Sequence, residues 1–99
     1  MPYSLRLRSE ADEDLAALSV RERTLVFKQL KKLSQAPELG QPLGKKAGID
    51  LSGYRKMYAD RKRIRVVYRI INEQIVVEVV AVGKRDDLEV YHMAARRLA

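Results

Sequence analysis

The chain has no cysteine in its 99 residues. That excludes a disulfide framework, a thiolate metal site and a cysteine nucleophile, and it fits a reducing compartment. It has one histidine, His92. There is no second histidine, no acidic cluster at ligand spacing, no glycine-rich phosphate loop and no nucleophilic triad, so neither metal catalysis nor a cofactor is expected. No apolar run approaches the roughly 18 residues that span a bilayer. No apolar stretch follows Met1-Pro2-Tyr3-Ser4-Leu5-Arg6, so no signal peptide and no membrane partner are expected, and the cytoplasm is the expected location. Acids are also scarce beside bases: 13 Asp and Glu face 20 Lys and Arg, a net charge of +7.

A basic chain of this length is read as one domain, residues 1–99, predisposed to polyanions. The charge is unevenly spread. Glu10, Asp12, Glu13 and Asp14 form an early acidic patch, whereas residues 45–69 hold nine cations against two acids. The cations lie in a segment with strand character, not in a low-complexity tail.

Period-two alternation predicts a strand over Tyr3–Arg8. Ser9 is expected to cap a helix with acids in its first turn and Ala11, Leu15 and Leu18 on its apolar face. Ser19 and Glu22 form a capping box ahead of Val26, Leu30 and Leu33, and Ala36-Pro37 stops that second helix. Residues 37–53 hold four of the five glycines and are expected to be a loop of about 17 residues. Strands are predicted over Tyr54–Ala59, Arg63–Ile71 and Ile75–Val82. The third is almost wholly apolar, as in a strand covered on both faces. Gly83 is expected to break it, and Asp86 with Glu89 at the third position starts a last helix running to about Arg97. The order β-α-α-β-β-β-α predicts an α+β fold: a first strand and a helical hairpin packed on an antiparallel meander, with the opposite sheet face partly open to ligand.

In the strand Arg63–Ile70, one side carries Ile64, Val66, Tyr68 and Ile70 and the other Arg63, Arg65, Val67 and Arg69. A turn centred on Arg61 sets Met57 opposite Arg65 and Arg55 opposite Val67. Arg55 and Met57 then share the open face with Arg65, and Lys56 falls on the packed face with Tyr54 and Tyr58. A one-residue slip exchanges these assignments. The plain alternative is that the arginines form a solvated face, but clustered like charges repel unless an anion is expected. Tyr91 forms an i, i+3, i+7 stripe with Leu88 and Ala95, so spacing alone predicts core packing for it.

Three stretches in order, Leu51-Ser52-Gly53-Tyr54-Arg55-Lys56, Ile64-Arg65-Val66-Val67-Tyr68-Arg69-Ile70 and Val82-Gly83-Lys84-Arg85 with Glu89-Val90-Tyr91, carry a family resemblance. The chain resembles the RelE/ParE superfamily of toxins from type II toxin–antitoxin modules, and within it the RelE branch. The resemblance implies a metal-independent endoribonuclease that cuts messenger RNA on the ribosome by attack of a 2′-hydroxyl on the adjacent phosphate. It also implies a cognate antitoxin as partner, in a toxin–antitoxin hetero-oligomer. Matched by position, Arg65, Arg85 and Tyr91 fall on active-site positions and Arg55 on a basic position of the preceding strand. Lys45, Lys46, Lys56, Arg61, Lys62, Arg63 and Lys84 are the expected RNA-binding cations. Met57 departs from the pattern, because RelE-like toxins often hold a second cation there. The base that removes the 2′-hydroxyl proton stays open between Tyr91, which can also stack on a nucleobase, and Lys56, Lys84 or His92. The alternative within the superfamily is a ParE-like poison of DNA gyrase with the same fold and no RNA cleavage.

Overall fold

A computed structural model describes residues 2–46, 48–84 and 89–98. Ala47 and the segment 85–88 lie outside the described residues, and with them Arg85, the Asp86 cap and the Leu88 end of the Tyr91 stripe. Strand β1 (Ser4–Leu7) leads into helices α1 (Ser9–Ala16) and α2 (Val20–Gln35). Three two-residue strands follow, β2 (Gln41–Pro42), β3 (Lys45–Lys46) and β4 (Ile49–Asp50). Then come the meander strands β5 (Arg55–Ala59), β6 (Ile64–Ile71) and β7 (Val76–Lys84), and helix α3 (Glu89–Leu98). The order is the α+β order expected. The segment expected to be one long loop holds a short 3₁₀ turn (Pro37–Leu39) and the three short strands.

Local chemistry explains the helix starts. Ser19 Oγ accepts from the Glu22 N–H at 3.1 Å and the Glu22 carboxylate accepts from the Ser19 N–H at 2.9 Å, which completes the capping box. Helix α1 differs from its reading. Arg8 is the extended N-cap residue, Ser9 is the first helical residue, and no side chain caps the start. Glu10 and Asp12 still place negative charge in the first turn.

Among the described residues, one sheet has the order β1-β7-β6-β5-β2, with β5, β6 and β7 antiparallel and β1 parallel to β7. One face is sealed by the helical hairpin: Ala11, Leu15, Val26, Leu30 and Leu33 pack on Ile64, Val66, Tyr68, Val77, Val79 and Val82. On the other face α3 and the chain around Leu51 cover Val67, Val80 and Ala81 through Val90, Tyr91 and Ala94. Strand β7 is therefore covered on both sides, which accounts for its apolar run. Its bulge falls at Val80, since Val67 pairs with Ala81 and Tyr68 with Val79. The break expected at Gly83 does not occur: Gly83 pairs in register with Arg65 and the strand runs on to Lys84. A Cβ there would stand 3.4 Å from Val90, an ordinary van der Waals contact with α3.

Candidate functional site

The register between β5 and β6 decides which side chains meet. The turn is four residues, Asp60 to Arg63, closed by the Arg63 N–H donating to the Asp60 carbonyl at 3.0 Å. Ala59 pairs with Ile64, Tyr58 with Arg65, Met57 with Val66, Lys56 with Val67 and Arg55 with Tyr68. This is a shift of one residue from the turn centred on Arg61, and it exchanges the faces. Lys56 and Tyr58 join Arg65. Arg55 and Met57 face the helical hairpin, where Met57 packs against the core.

Arg55 is thus corrected. Its guanidinium donates to the Gly40 carbonyl at 2.8 Å and reaches the Glu38 carbonyl at 3.4 Å, on the face away from Arg65. Lys84 is corrected too. It pairs with Ile64, on the hairpin face, and its ammonium lies 3.2 Å from the Glu22 carboxylate. That ammonium and the Ser19 N–H, the latter more strongly, hold the Glu22 carboxyl below the usual range. Arg69 pairs with the buried Glu78 at 2.8 Å and anchors the far end of the strand.

What remains is a compact cluster. The half-buried Arg65 places its guanidinium carbon 5.2 Å from the Tyr91 ring centre and 5.9 Å from the Tyr58 ring centre, within cation–π range. The Lys56 ammonium donates to the Tyr58 hydroxyl at 3.0 Å and lies 5.1 Å from the Tyr58 ring centre. Lys62, from the turn, comes within 5.8 Å of the same ring. Asp60, Arg61 and Lys62 all have positive φ (51°, 55° and 72°), a conformation non-glycine residues rarely adopt in succession. Arg21 clamps the Asp60 carboxylate at 3.1 and 3.3 Å and steadies this turn. Tyr91 is 7% exposed: it packs in the second core, as its spacing predicts, and also walls Arg65.

Beside the cluster, a pocket of about 250 Å³ is lined by Leu43, Lys45, Ile49, Leu51, Lys56 and Tyr91 among others. Arg61 and Arg63 are exposed in the turn, and His92 is exposed next to Tyr91. Lys46 lies on β3, its side chain outside the described atoms. Among the described residues no group of three or more His, Asp or Glu side chains is placed to hold a metal ion, and no helix is long and apolar enough to cross a membrane.

Charge sets the protonation preferences. The hydrogen bond to Tyr58, outweighing desolvation, raises the Lys56 pKa above its ordinary value, so Lys56 stays an ammonium. The Tyr58 phenol is pushed below its ordinary value by that hydrogen bond first, with the positive charges of Lys56, Arg65 and Lys62 adding to it against desolvation. Sequence reasoning missed Tyr58. The alternation does group it with Lys56, but nothing in residues 60–63 announces a four-residue turn, because no glycine marks its left-handed positions.

The model of the ParE toxin of type II toxin–antitoxin systems matches residues 5–89. A RelE-like toxin protein of Escherichia coli is 34% identical over 98 residues, covering 99% of each chain. The mRNA interferase toxin RelE of the same species is 31% identical over 104 residues, again with 99% of each chain covered. Among solved structures, a mutant of the Escherichia coli toxin RelE in the free state superposes with a TM-score of 0.80 at 28% identity over the whole of both chains. The toxin–antitoxin complex RelBE2 of Mycobacterium tuberculosis gives 0.72 at 31% identity, covering 86% of this chain and 100% of that one. The chain belongs to the RelE/ParE superfamily of type II toxin–antitoxin toxins, on its RelE-like side.

Proposed function

We propose that this toxin is a metal-independent endoribonuclease that cleaves messenger RNA on the ribosome. The observation that carries the reading is the convergence of Lys56 and Tyr58 from β5, Arg65 from β6 and Tyr91 from α3 at one place on the sheet. Attack of the 2′-hydroxyl on the adjacent phosphorus builds negative charge on the non-bridging oxygens. The Arg65 guanidinium, held by packing between aromatic rings, is the donor for that charge. Arg85 joins it on the strength of the family resemblance. Lys45, Lys62, Arg61 and Arg63 extend the positive surface along the path of a bound strand, and Tyr91 presents an aromatic wall beside the pocket. The departure at Met57 loses its force, because Met57 faces the core and the position beside Arg65 belongs to Tyr58.

Antitoxin-bound RelE toxins among the similar structures support a cognate antitoxin as partner. An acidic or amphipathic segment that covers the basic face would inhibit by occlusion. The reading frame beside this gene is the first place to look for it.

The second reading, a gyrase poison, is favoured by one observation: the matching family model is that of the ParE toxin. Primer extension on messenger RNA from programmed ribosomes separates the two. New 5′ ends within codons are expected, with no double-strand breaks in gyrase-treated DNA. Arg65→Ala is expected to slow cleavage roughly 10²–10³-fold, the cost of removing one transition-state donor, with an unchanged circular dichroism spectrum. Full cleavage by a folded Arg65→Ala, Arg85→Ala double variant would rule out the assignment.

A further inference from the structure

Cleavage through the 2′-hydroxyl needs a group that accepts its proton. We propose that Tyr58 is this general base, acting as a phenolate paired with the Lys56 ammonium. The assignment rests on the RNA-cleavage reading of the same site.

Elimination within the cluster leads there. Arg65 has donors only and stays charged. Lys56 is held as an ammonium by its bond to Tyr58 and has no lone pair to offer. Lys84 is on the opposite face with Glu22, and the exposed His92 lies one position off the Tyr91 face. Tyr91 is packed into the core and 7% exposed. Tyr58 is half-buried, its oxygen lies 3.0 Å from Lys56, and its ring is within 5.9 Å of Arg65, the group assigned to the phosphate.

The surroundings of Tyr58 favour its anion. Among the described residues, the charged groups that face it are all cationic: Lys56 on its own strand, Arg65 on β6 and Lys62 from the turn. From the segment before β5 it is approached by Leu39 and Gln41, which are uncharged. The depressed phenol pKa comes from this set, with the Lys56 hydrogen bond the largest contribution.

The step balances without a metal or cofactor. The 2′-oxygen forms a bond to phosphorus while its proton passes to the Tyr58 phenolate. The bond from phosphorus to the 5′-oxygen breaks, and that oxygen takes a proton from water. The products are a 2′,3′-cyclic phosphate and a 5′-hydroxyl, and the phenol then returns its proton to solvent. The rate should climb with pH as the phenolate forms and level off below the pH at which an ordinary tyrosine ionises, near pKa ~10.

The test is single-turnover cleavage of messenger RNA on programmed ribosomes as a function of pH, with ribosome co-sedimentation as the binding control. Tyr58→Phe is expected to lose roughly 10²–10⁴-fold in rate, the usual worth of a general base, and to lose the rising limb while binding persists. Replacing Tyr58 by 3-fluorotyrosine, whose phenol is more acidic at nearly the same shape, should move the limb to lower pH. Lys56→Met should move it to higher pH. A Tyr58→Phe protein that cleaves at the wild-type rate with the wild-type limb, or a fluorinated protein whose limb stays put, overturns the assignment and leaves RNA cleavage standing. A wild-type protein that binds ribosomes and cleaves nothing overturns the reading beneath it and the assignment together.

Discussion

Tyr68 and Arg55 stand opposite each other across β6 and β5, and both direct their polar ends to one short loop. The Tyr68 hydroxyl donates to the Pro37 carbonyl at 2.7 Å and accepts from the Gly40 N–H at 2.9 Å, while Arg55 donates to the Gly40 carbonyl. The loop can sit this close only because residue 40 lacks a side chain: a Cβ there would collide with the Tyr68 hydroxyl and the Lys56 carbonyl. Gly40→Ala is therefore expected to lower the unfolding free energy by about 1–3 kcal/mol, measured by urea denaturation. An unchanged midpoint would mean that the loop relaxes freely. The same contacts explain why Arg55 misleads at the sequence level. It carries the charge expected of a phosphate ligand, yet nothing local says that two main-chain carbonyls from the preceding loop will take its donors.

At the scale of elements, an ion pair joins the first and last helices. The Arg97 guanidinium meets the Asp14 carboxylate at 2.7 and 2.9 Å, and both side chains are mostly buried. The pair also finishes a sheet edge. Strand β1 last pairs at Val79, so among the described residues the next stretch of β7 has no strand on its β1 side; Arg97 donates to the Val80 carbonyl and Asp14 accepts from the Val82 N–H. Asp14→Ala would strand a guanidinium and orphan a backbone donor. It is expected to cost about 3 kcal/mol and to raise hydrogen exchange in α3 before the rest of the molecule. Uniform exchange would argue that α3 is held by its apolar face alone. Some of this scale is legible in sequence and some is not. The capping box at Ser19 and the apolar stripes of α1 and α2 are local patterns, and they fold as they read. The start of α1 reads one residue late, because the extended conformation of Arg8 gives it the cap position that serine usually takes. The Asp14–Arg97 bridge spans 83 positions and leaves no local trace.

For the whole molecule, the net charge of +7 gives binding a salt dependence. Affinity for a single-stranded RNA oligonucleotide, read by fluorescence anisotropy, should fall linearly on logarithmic axes. Lys62→Gln should reduce the slope by about 0.7 if Lys62 contacts one phosphate, and an unchanged slope would place the strand elsewhere. The amino-acid sequence by itself determined the long helices and meander strands, their order, the polyanion-seeking charge and the strand alternation that groups Lys56 with Tyr58, because each of these is written in nearest-neighbour chemistry; the short strands within residues 37–53 are not written there. Only the tertiary structure decided which face that group occupies. A side-chain period of two makes one residue of turn length sufficient to exchange the faces. Here three left-handed residues without a glycine, braced by Arg21 on Asp60, lengthen the turn by that one residue. That turn brings Tyr58 and Lys56 to Arg65 and sends Arg55 to the opposite side.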